Sequence, residues 1–291
     1  MTIEMTKMQV LAPAKVNLSL RIFGKRPDGF HEIETLIAPI SLYDKIDIEK
    51  QNRWIDFSCD DATLSTGDDN LVVRAAKLFF ERTEIKSGVS IKLEKKIPHG
   101  AGLGGGSSDA AATLRGLNQL FEAKLSREEL AKLGSTIGSD VAFFLFESTS
   151  ICKGRGDMVE PKKLKTKLSI LLLKPAFGVS TAWAYGRYSQ RKTASQPSSA
   201  KGSGHSLHAP QEFDGQTFVN DLERPVFEKF VFLAELKSWL LKQPEVGAAL
   251  MSGSGSTVFA MLQENVDVDL LIKRVREELD QKLWTCKTET L

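Results

Sequence analysis

The chain has 291 residues, 42% hydrophobic and 26% charged, the balance of a globular protein with one large or two ordinary domains. A net charge of +2 gives no reason to expect a nucleic-acid partner, and no run of about 18 apolar residues exists to make a transmembrane helix, so no membrane partner is expected. The opening Met1-Thr-Ile-Glu-Met-Thr-Lys7 lacks an apolar signal core, and Cys59, Cys152 and Cys286 are odd in number and far apart without metal-ligand spacing, so a cytoplasmic protein with idle thiols is expected.

Short alternating segments predict strands over residues 8–12, 16–22, 33–38, 45–49 and 54–59. A helix is expected to start at Asn70, with Leu71, Val72, Ala75, Leu78 and Phe79 on its apolar side. Residues 89–94 alternate like a half-buried strand and lead into the run Pro98-His99-Gly100-Ala101-Gly102-Leu103-Gly104-Gly105-Gly106-Ser107-Ser108-Asp109. Directly after it, Ala111, Leu114, Leu117 and Phe121 fall near helical spacing. Ser126 and Glu129 form a capping-box pattern for a short helix to Leu133. The apolar run 168–173 reads as a buried strand that begins a second sheet. Residues 189–216, rich in Ser, Gly, Lys, Gln and Pro, read as a long mobile loop. Helices are expected over 226–241 and 268–283, and Met251-Ser-Gly253-Ser254-Gly255 is a second Gly/Ser loop running into a strand. Strands and helices interleaved without a strict repeat predict an α+β protein of two domains, 1–160 and 161–291, with a cleft between them.

A strand, a glycine loop and a helix start, in that order, are the ingredients of a phosphate site, because first-turn N–H groups and the positive end of the helix dipole both favour an anion. Gly100, Gly102 and Gly105 satisfy the dinucleotide fingerprint, but the acids about 20 residues on, Glu122, Glu128 and Glu129, lie in helical or helix-start sequence and not at a strand end. A P-loop would close on Gly-Lys-Ser/Thr, and Ser107-Ser108 follow with no lysine. The His-Arg-Asp and Asp-Phe-Gly companions of a protein kinase do not occur. A flexible linker is disfavoured because strand and helix patterns abut both ends.

The missing lysine asks for a cation from elsewhere. Lys15, between Ala14 and Val16 on an apolar strand-like segment, is the best candidate. Asp140, in Gly138-Ser139-Asp140-Val141, stands against an apolar run, where burial raises a carboxyl's pKa unless a cation sits beside it. It serves either as the base of a transfer reaction or as a helix cap.

The segments Pro13-Ala14-Lys15-Val16-Asn17-Leu18, Arg26-Pro27-Asp28-Gly29-Phe30-His31, Leu103-Gly104-Gly105-Gly106-Ser107-Ser108, Gly138-Ser139-Asp140-Val141, Asn220-Asp221-Leu222-Glu223 and the run 174–185, together with the second Gly/Ser loop, resemble the GHMP kinases over nearly the whole chain. The resemblance is strongest to members whose acceptor is a polyol linked to cytidine diphosphate and whose reaction belongs to non-mevalonate isoprenoid synthesis. It implies a two-domain GHMP-kinase-like fold, ATP and Mg²⁺ as cofactors, and transfer of the γ-phosphoryl group to a hydroxyl by a monomer or homodimer. It pairs Lys15 with Asp140 as catalytic residues, Asp140 either abstracting the proton or orienting the hydroxyl, and puts the nucleotide on residues 98–108. Ser107 or Ser108 would add a hydroxyl for phosphate or Mg²⁺. It assigns Asn17 to the acceptor's polyol or phosphate, Phe30 and Tyr185 to the two faces of its base, His31 to the base edge, and Gly253 and Ser254 to the acceptor side. Ala142 stands where the family often has proline, which alters rigidity more than chemistry. A homoserine or mevalonate-type kinase, and a nucleotide-binding protein without turnover, are the rival readings.

Overall fold

The computed structural model describes residues 5–194 and 207–291, with side chains described to residue 190 in the first of these spans. The first half runs β1 (Lys7–Lys25), β2 (His31–Gln51), β3 (Ile55–Cys59), α1 (Leu71–Thr83), β4 (Gly88–Glu94), α2 (Gly105–Leu120), α3 (Arg127–Ile137), α4 (Ser139–Phe146), β5 (Ser150–Gly154) and β6 (Met158–Pro161). The second runs β7 (Ser169–Lys174), α5 (Thr181–Ala194), β8 (Gln211–Phe213), β9 (Gln216–Asn220), α6 (Glu223–Lys229), α7 (Val231–Leu240), β10 (Val246–Met251), β11 (Val258–Leu262), α8 (Val268–Glu278) and β12 (Trp284–Glu289).

Two sheets lie back to back under helices. The larger has the path β3-β4-β2-β1-β9-β8, with β5 on β2 and β6 on β5; the smaller has the order β10-β11-β7-β12. Strands β8 and β9, from the second half of the sequence, thus complete the sheet begun by β1, with Ser19 opposite Val219. The side-chain alternation of β7 shows the layering. Ile170 and Leu172 face β1 and β2 through Val16, Leu18 and Ala38, whereas Leu171 and Leu173 face α6, α7 and α8 through Val226, Leu233 and Leu271. On the far side of the large sheet, Ile46, Ile48 and Ile91 pack on Ala76, Leu114 and Phe144 of α1, α2 and α4.

Several expected elements differ in extent. The strands expected at 8–12 and 16–22 are one strand, with register shifts between Pro13 and Ala14 and between Asn17 and Ser19. A proline without an N–H slips the ladder there instead of ending it. The strands expected at 33–38 and 45–49 likewise fuse into β2. Helix α2 starts at Gly105, inside the expected loop, because Gly104 takes a left-handed conformation (φ 71°) as its N-cap. The capping box at Ser126 and Glu129 is formed, but α3 runs past Leu133 to Ile137. Gly134 permits this: a Cβ there would stand 2.8 Å from Val141 Cγ1, so its absence lets α3 press on α4. The helix expected over 226–241 is two, parted at Phe230 (φ −104°, ψ 69°), and the one expected over 268–283 stops at Glu278.

The mobile-loop reading of 189–216 is corrected at both ends. Residues 189–194 continue α5, and 211–213 form β8, paired with β9 through Gln211 and Phe218. Residues 195–206 of that segment lie outside the described residues.

Candidate active site

A cleft of about 600 Å³ opens between β1, the glycine loop, the starts of α1 and α4, helix α5 and the loop after β10. Of the residues singled out from sequence, it is lined by Lys15, Asn17, Pro98, His99, Gly100, Ala101, Gly102, Gly104, Gly105, Gly106, Ser107, Asp140, Tyr185, Gly253 and Ser254. Leu103, Ser108, Phe30 and His31 are not in its wall. Leu103 is buried in the core between the sheets while its carbonyl accepts a hydrogen bond from the Lys15 N–H at 3.0 Å. Ser108 is buried behind the first turn of α2.

The glycine loop is shaped by close approaches that a side chain would block. Gly102 (φ 75°) lies so near the second loop that a Cβ would be 2.2 Å from the Ser252 carbonyl oxygen. At Gly104 a Cβ would be 2.9 Å from the Phe144 ring and 3.0 Å from Lys15 Cγ. No side chain caps α2, so its first-turn amides meet the cleft at Gly105, Gly106 and Ser107. Unpaired N–H groups at the positive end of a helix suit a phosphate.

Lys15 is buried on β1, and its Nζ lies 3.6 Å from Asp140 Oδ2, a carboxylate one-third exposed to the cleft. The same Nζ donates to Asn17 Oδ1 at 2.6 Å, and Asn17 Nδ2 donates to Thr35 Oγ1 at 2.8 Å. Thr35 in turn donates to the Ser19 carbonyl at 2.6 Å. This chain of bonds anchors one side of the ammonium, while its contact with Asp140 faces the cleft. Asp140 stands in the first turn of α4, where the helix dipole favours negative charge.

Further aromatic rings gather behind Tyr185, which lines the cleft. His31 lies against Tyr185, ring centroids 5.1 Å apart and tilted by 32°, with Tyr188 edge-on at 6.4 Å. The Ser189 hydroxyl is 2.6 Å from His31 Nε2 and donates to the Tyr185 carbonyl at 3.3 Å. Burial, with Asp140 nearby, pushes the Tyr185 phenol above its usual range. Phe30 is half exposed under the Arg155 guanidinium, 5.5 Å from its ring centre. Ser254 Oγ is 2.9 Å from Thr181 Oγ1 at the start of α5.

Sequence reasoning missed two parts. At the end of the cleft away from Tyr185, Leu64, Ser65, Asn70, Leu71, Val72 and Leu93 line the wall. Asn70 is legible only as a helix cap, which it is, accepting from the Val72 N–H at 2.9 Å. Beneath the glycine loop, Lys95 bridges Asp44 and Asp109, at 2.8 Å from Asp109 Oδ2, and Asp44 Oδ1 accepts the Lys96 and Ile97 N–H groups at 2.5 and 2.8 Å. Burial works against the Lys95 charge, but the two carboxylates outweigh it and hold the ammonium above its ordinary pKa. Burial raises the Asp109 carboxyl. Among the described residues no three His, Cys, Asp or Glu side chains gather as a metal cluster, and no helix is long and apolar enough to cross a membrane.

Backbone amides that cradle an anion, a buried ammonium and a carboxylate on one opening supply what phosphoryl transfer asks of a protein, namely positioning and charge. Fold and site define an ATP-dependent small-molecule kinase of the GHMP class. Residues 70–148 match the GHMP kinases N terminal domain and residues 201–281 the GHMP kinases C terminal domain. The 4-diphosphocytidyl-2-C-methyl-D-erythritol kinase of Methylacidiphilum infernorum is 44% identical over 257 residues, 87% of this chain and 85% of the relative. The kinase of the same name from Acetivibrio thermocellus is 35% identical over 286 residues, 97% and 98% of the two chains. A crystal structure of 4-(cytidine 5'-diphospho)-2C-methyl-D-erythritol kinase superposes with a TM-score of 0.76 at 33% identity, covering 98% of this chain and all of that one. A homoserine kinase from Cytophaga hutchinsonii shares the fold (TM-score 0.72, 17% identity, 100% and 96% covered). The chain belongs to the 4-diphosphocytidyl-2-C-methyl-D-erythritol kinase family of GHMP kinases.

Proposed function

We propose that this chain transfers the γ-phosphoryl group of ATP to the 2-hydroxyl of 4-diphosphocytidyl-2-C-methyl-D-erythritol, in the cytoplasm, as a step of non-mevalonate isoprenoid precursor synthesis. The observation that carries the chemistry is the Lys15–Asp140 pair, 3.6 Å apart where the two glycine loops meet. The names and identities of the relatives support the choice of acceptor.

In this reading the triphosphate lies on Gly100 to Ser107, and the purine occupies the end lined by Leu71, Val72 and Asn70, apolar with a polar edge. Asp140 accepts the proton of the acceptor hydroxyl or aligns it, and Lys15 offsets charge on the transferring group. The acceptor's base lies by Phe30, His31 and Tyr185, and its polyol or phosphates meet Asn17, Gly253 and Ser254. Two buried oxygens without a hydrogen-bond partner among the described residues, Ser108 Oγ and Asp109 Oδ1, stand near the start of α2, and hard oxygen donors of this kind fit Mg²⁺. Such an ion, when bound there, would neutralise phosphate charge.

A homoserine or mevalonate acceptor has no base to use the His31–Tyr185 wall. The test is ATP consumption with the cytidine-bearing acceptor, homoserine and mevalonate in parallel. The cytidine acceptor is expected to give a kcat/KM about 10³-fold or more above the others, the scale reached when a site's polar groups would be left unpaired. Equal or better turnover of either small acceptor would overturn the choice of substrate. ATP binding without turnover of any acceptor would leave a binding protein.

A further inference from the structure

Strand β10 is the edge of the four-stranded sheet, so the N–H and C=O groups on its outer side have no strand to pair with. Side chains take that place at alternate residues. Gln211 donates from Nε2 to the Ala249 carbonyl at 2.7 Å and accepts the Ala249 N–H at 3.0 Å, a neutral amide imitating a strand. Two residues on, Asn220 Nδ2 donates to the Met251 carbonyl at 2.7 Å, and the Met251 N–H donates to Glu223 Oε1 at 2.8 Å. Glu223 is 1% exposed, and its other oxygen accepts from Lys237 Nζ at 2.5 Å; Lys237 is wholly buried.

The ion pair is more than the strand end needs. A neutral amide does the same work at Ala249, and burying a carboxylate with an ammonium carries a desolvation cost that a glutamine would avoid. What the pair adds is a charge-assisted bond to one backbone N–H, aimed by residues from two helices, α6 and α7. Met251 is where β10 turns into the second Gly/Ser loop. One residue further, Ser252 Oγ donates to the Gly102 carbonyl at 2.9 Å and accepts the Asn17 N–H at 3.3 Å. One more and Gly253 lies so close to the reacting side chains that a Cβ would be 3.1 Å from Asn17 Oδ1 and 3.4 Å from Lys15 Nζ; its carbonyl is held by Asn220 Nδ2 at 2.7 Å.

We infer that the buried Glu223–Lys237 pair is a positioning device for the phosphoryl-transfer site: by fixing the Met251 N–H it sets the loop that carries Gly253 and Ser254 against Lys15, Asn17 and Gly102. The inference rests on reading Gly253 and Ser254 as acceptor-side residues, and neither Glu223 nor Lys237 lines the cleft.

Two charge-free pairs of similar volume separate positioning from bulk stability. Glu223→Gln with Lys237→Met keeps an acceptor for the Met251 N–H; Glu223→Met with Lys237→Met removes it. Both are expected to fold, since an apolar or neutral pair replaces both charges together. In hydrogen exchange of the full-length protein without substrates, the first, which loses only the charge assistance, should speed residues 251–257 about threefold, and the second about tenfold, the scale of one lost hydrogen bond. In kinetics the second should raise KM for the cytidine acceptor about tenfold and lower kcat, and the first should raise KM about threefold. Wild-type exchange and kinetics in the Met/Met protein would overturn the inference, as would equal damage in both. If the Met/Met protein does not fold, Asn220→Ala reads the same strand end from the carbonyl side, and unchanged exchange there would overturn it. A wrong choice of acceptor would show as no turnover by the wild type and would leave the exchange comparison intact.

Discussion

Residues 98–107 and 251–257 both bring glycines to one cleft, but they are held in different ways. The first loop runs into α2, and its geometry comes from its own left-handed glycines and the helix they open. The second hangs from an edge strand whose outer groups are gripped by Gln211, Asn220 and Glu223, from β8, β9 and α6, with Lys237 of α7 behind. A loop built on local backbone conformation announces itself in sequence and concentrates its sensitivity in a few glycines. The second loop shows in sequence too, through Gly253 and Gly255 (φ 55° and 86°), but the distant side chains that hold it do not. The two touch at Gly102 and Ser252, so each also depends on the other.

The sharpest way to break the arrangement is Gly102→Ala, whose Cβ would meet backbone oxygens of Ser252 and Gly255 at 2.2 and 3.0 Å. Pushing the loops apart should lower kcat/KM by about 10²-fold or more and stability by about 3 kcal/mol, measured by steady-state kinetics and urea melts. Gly253→Ala presses chiefly on Asn17 and Lys15, with the Gly102 carbonyl oxygen at an ordinary 3.7 Å and a φ of +55° adding strain. It should raise KM for the acceptor about tenfold with ATP affinity unchanged, so a matching loss of ATP affinity would show that the loops do not divide the substrates as proposed. Gly100→Ala has no atom within 4 Å of its Cβ and only a φ of +61° against it. Strain of about 1–2 kcal/mol and activity within threefold of wild type are expected there. The smallest effect concerns Cys152, on β5 beneath the reacting pair, where burial and then Asp140 push the thiol up to about 12. Because a raised thiol pKa leaves almost no thiolate below pH 11, iodoacetamide at pH 8 should modify Cys152 far more slowly in the folded protein than after denaturation. Equal rates would show that this side of the site is open.

The phosphate loop, Lys15 and Asp140 were legible in the chain because each is an oddity in its own neighbourhood: glycines where a helix starts, a lysine in an apolar strand, an aspartate before an apolar run. The supports were not. Lys95, Asp44 and Asp109 meet from β2, the end of β4 and α2, and each alone reads as a surface charge. Lys237 sits in the helix expected over 226–241, Glu223 lies before it in the Asn220–Glu223 segment with no partner readable from sequence, and the break at Phe230 that sets α6 against α7 has neither glycine nor proline beside it. Composition misled over 189–216, where α5 continues and where β8 owes its order to ladder bonds with β9, to Gln211 on Ala249 and to Phe213 packed on Gly247. The purine-side wall hides behind a second role, since Asn70 reads in sequence only as a helix start.

In the proposed reaction two loops deliver two substrates to one ammonium–carboxylate pair. Asp140→Asn tests it most directly, with kcat and the ATP dissociation constant measured on the same preparation. The account predicts a kcat lower by roughly 10²–10⁴-fold, as for loss of a general base, with ATP binding within threefold of wild type. Turnover within tenfold of wild type would contradict it.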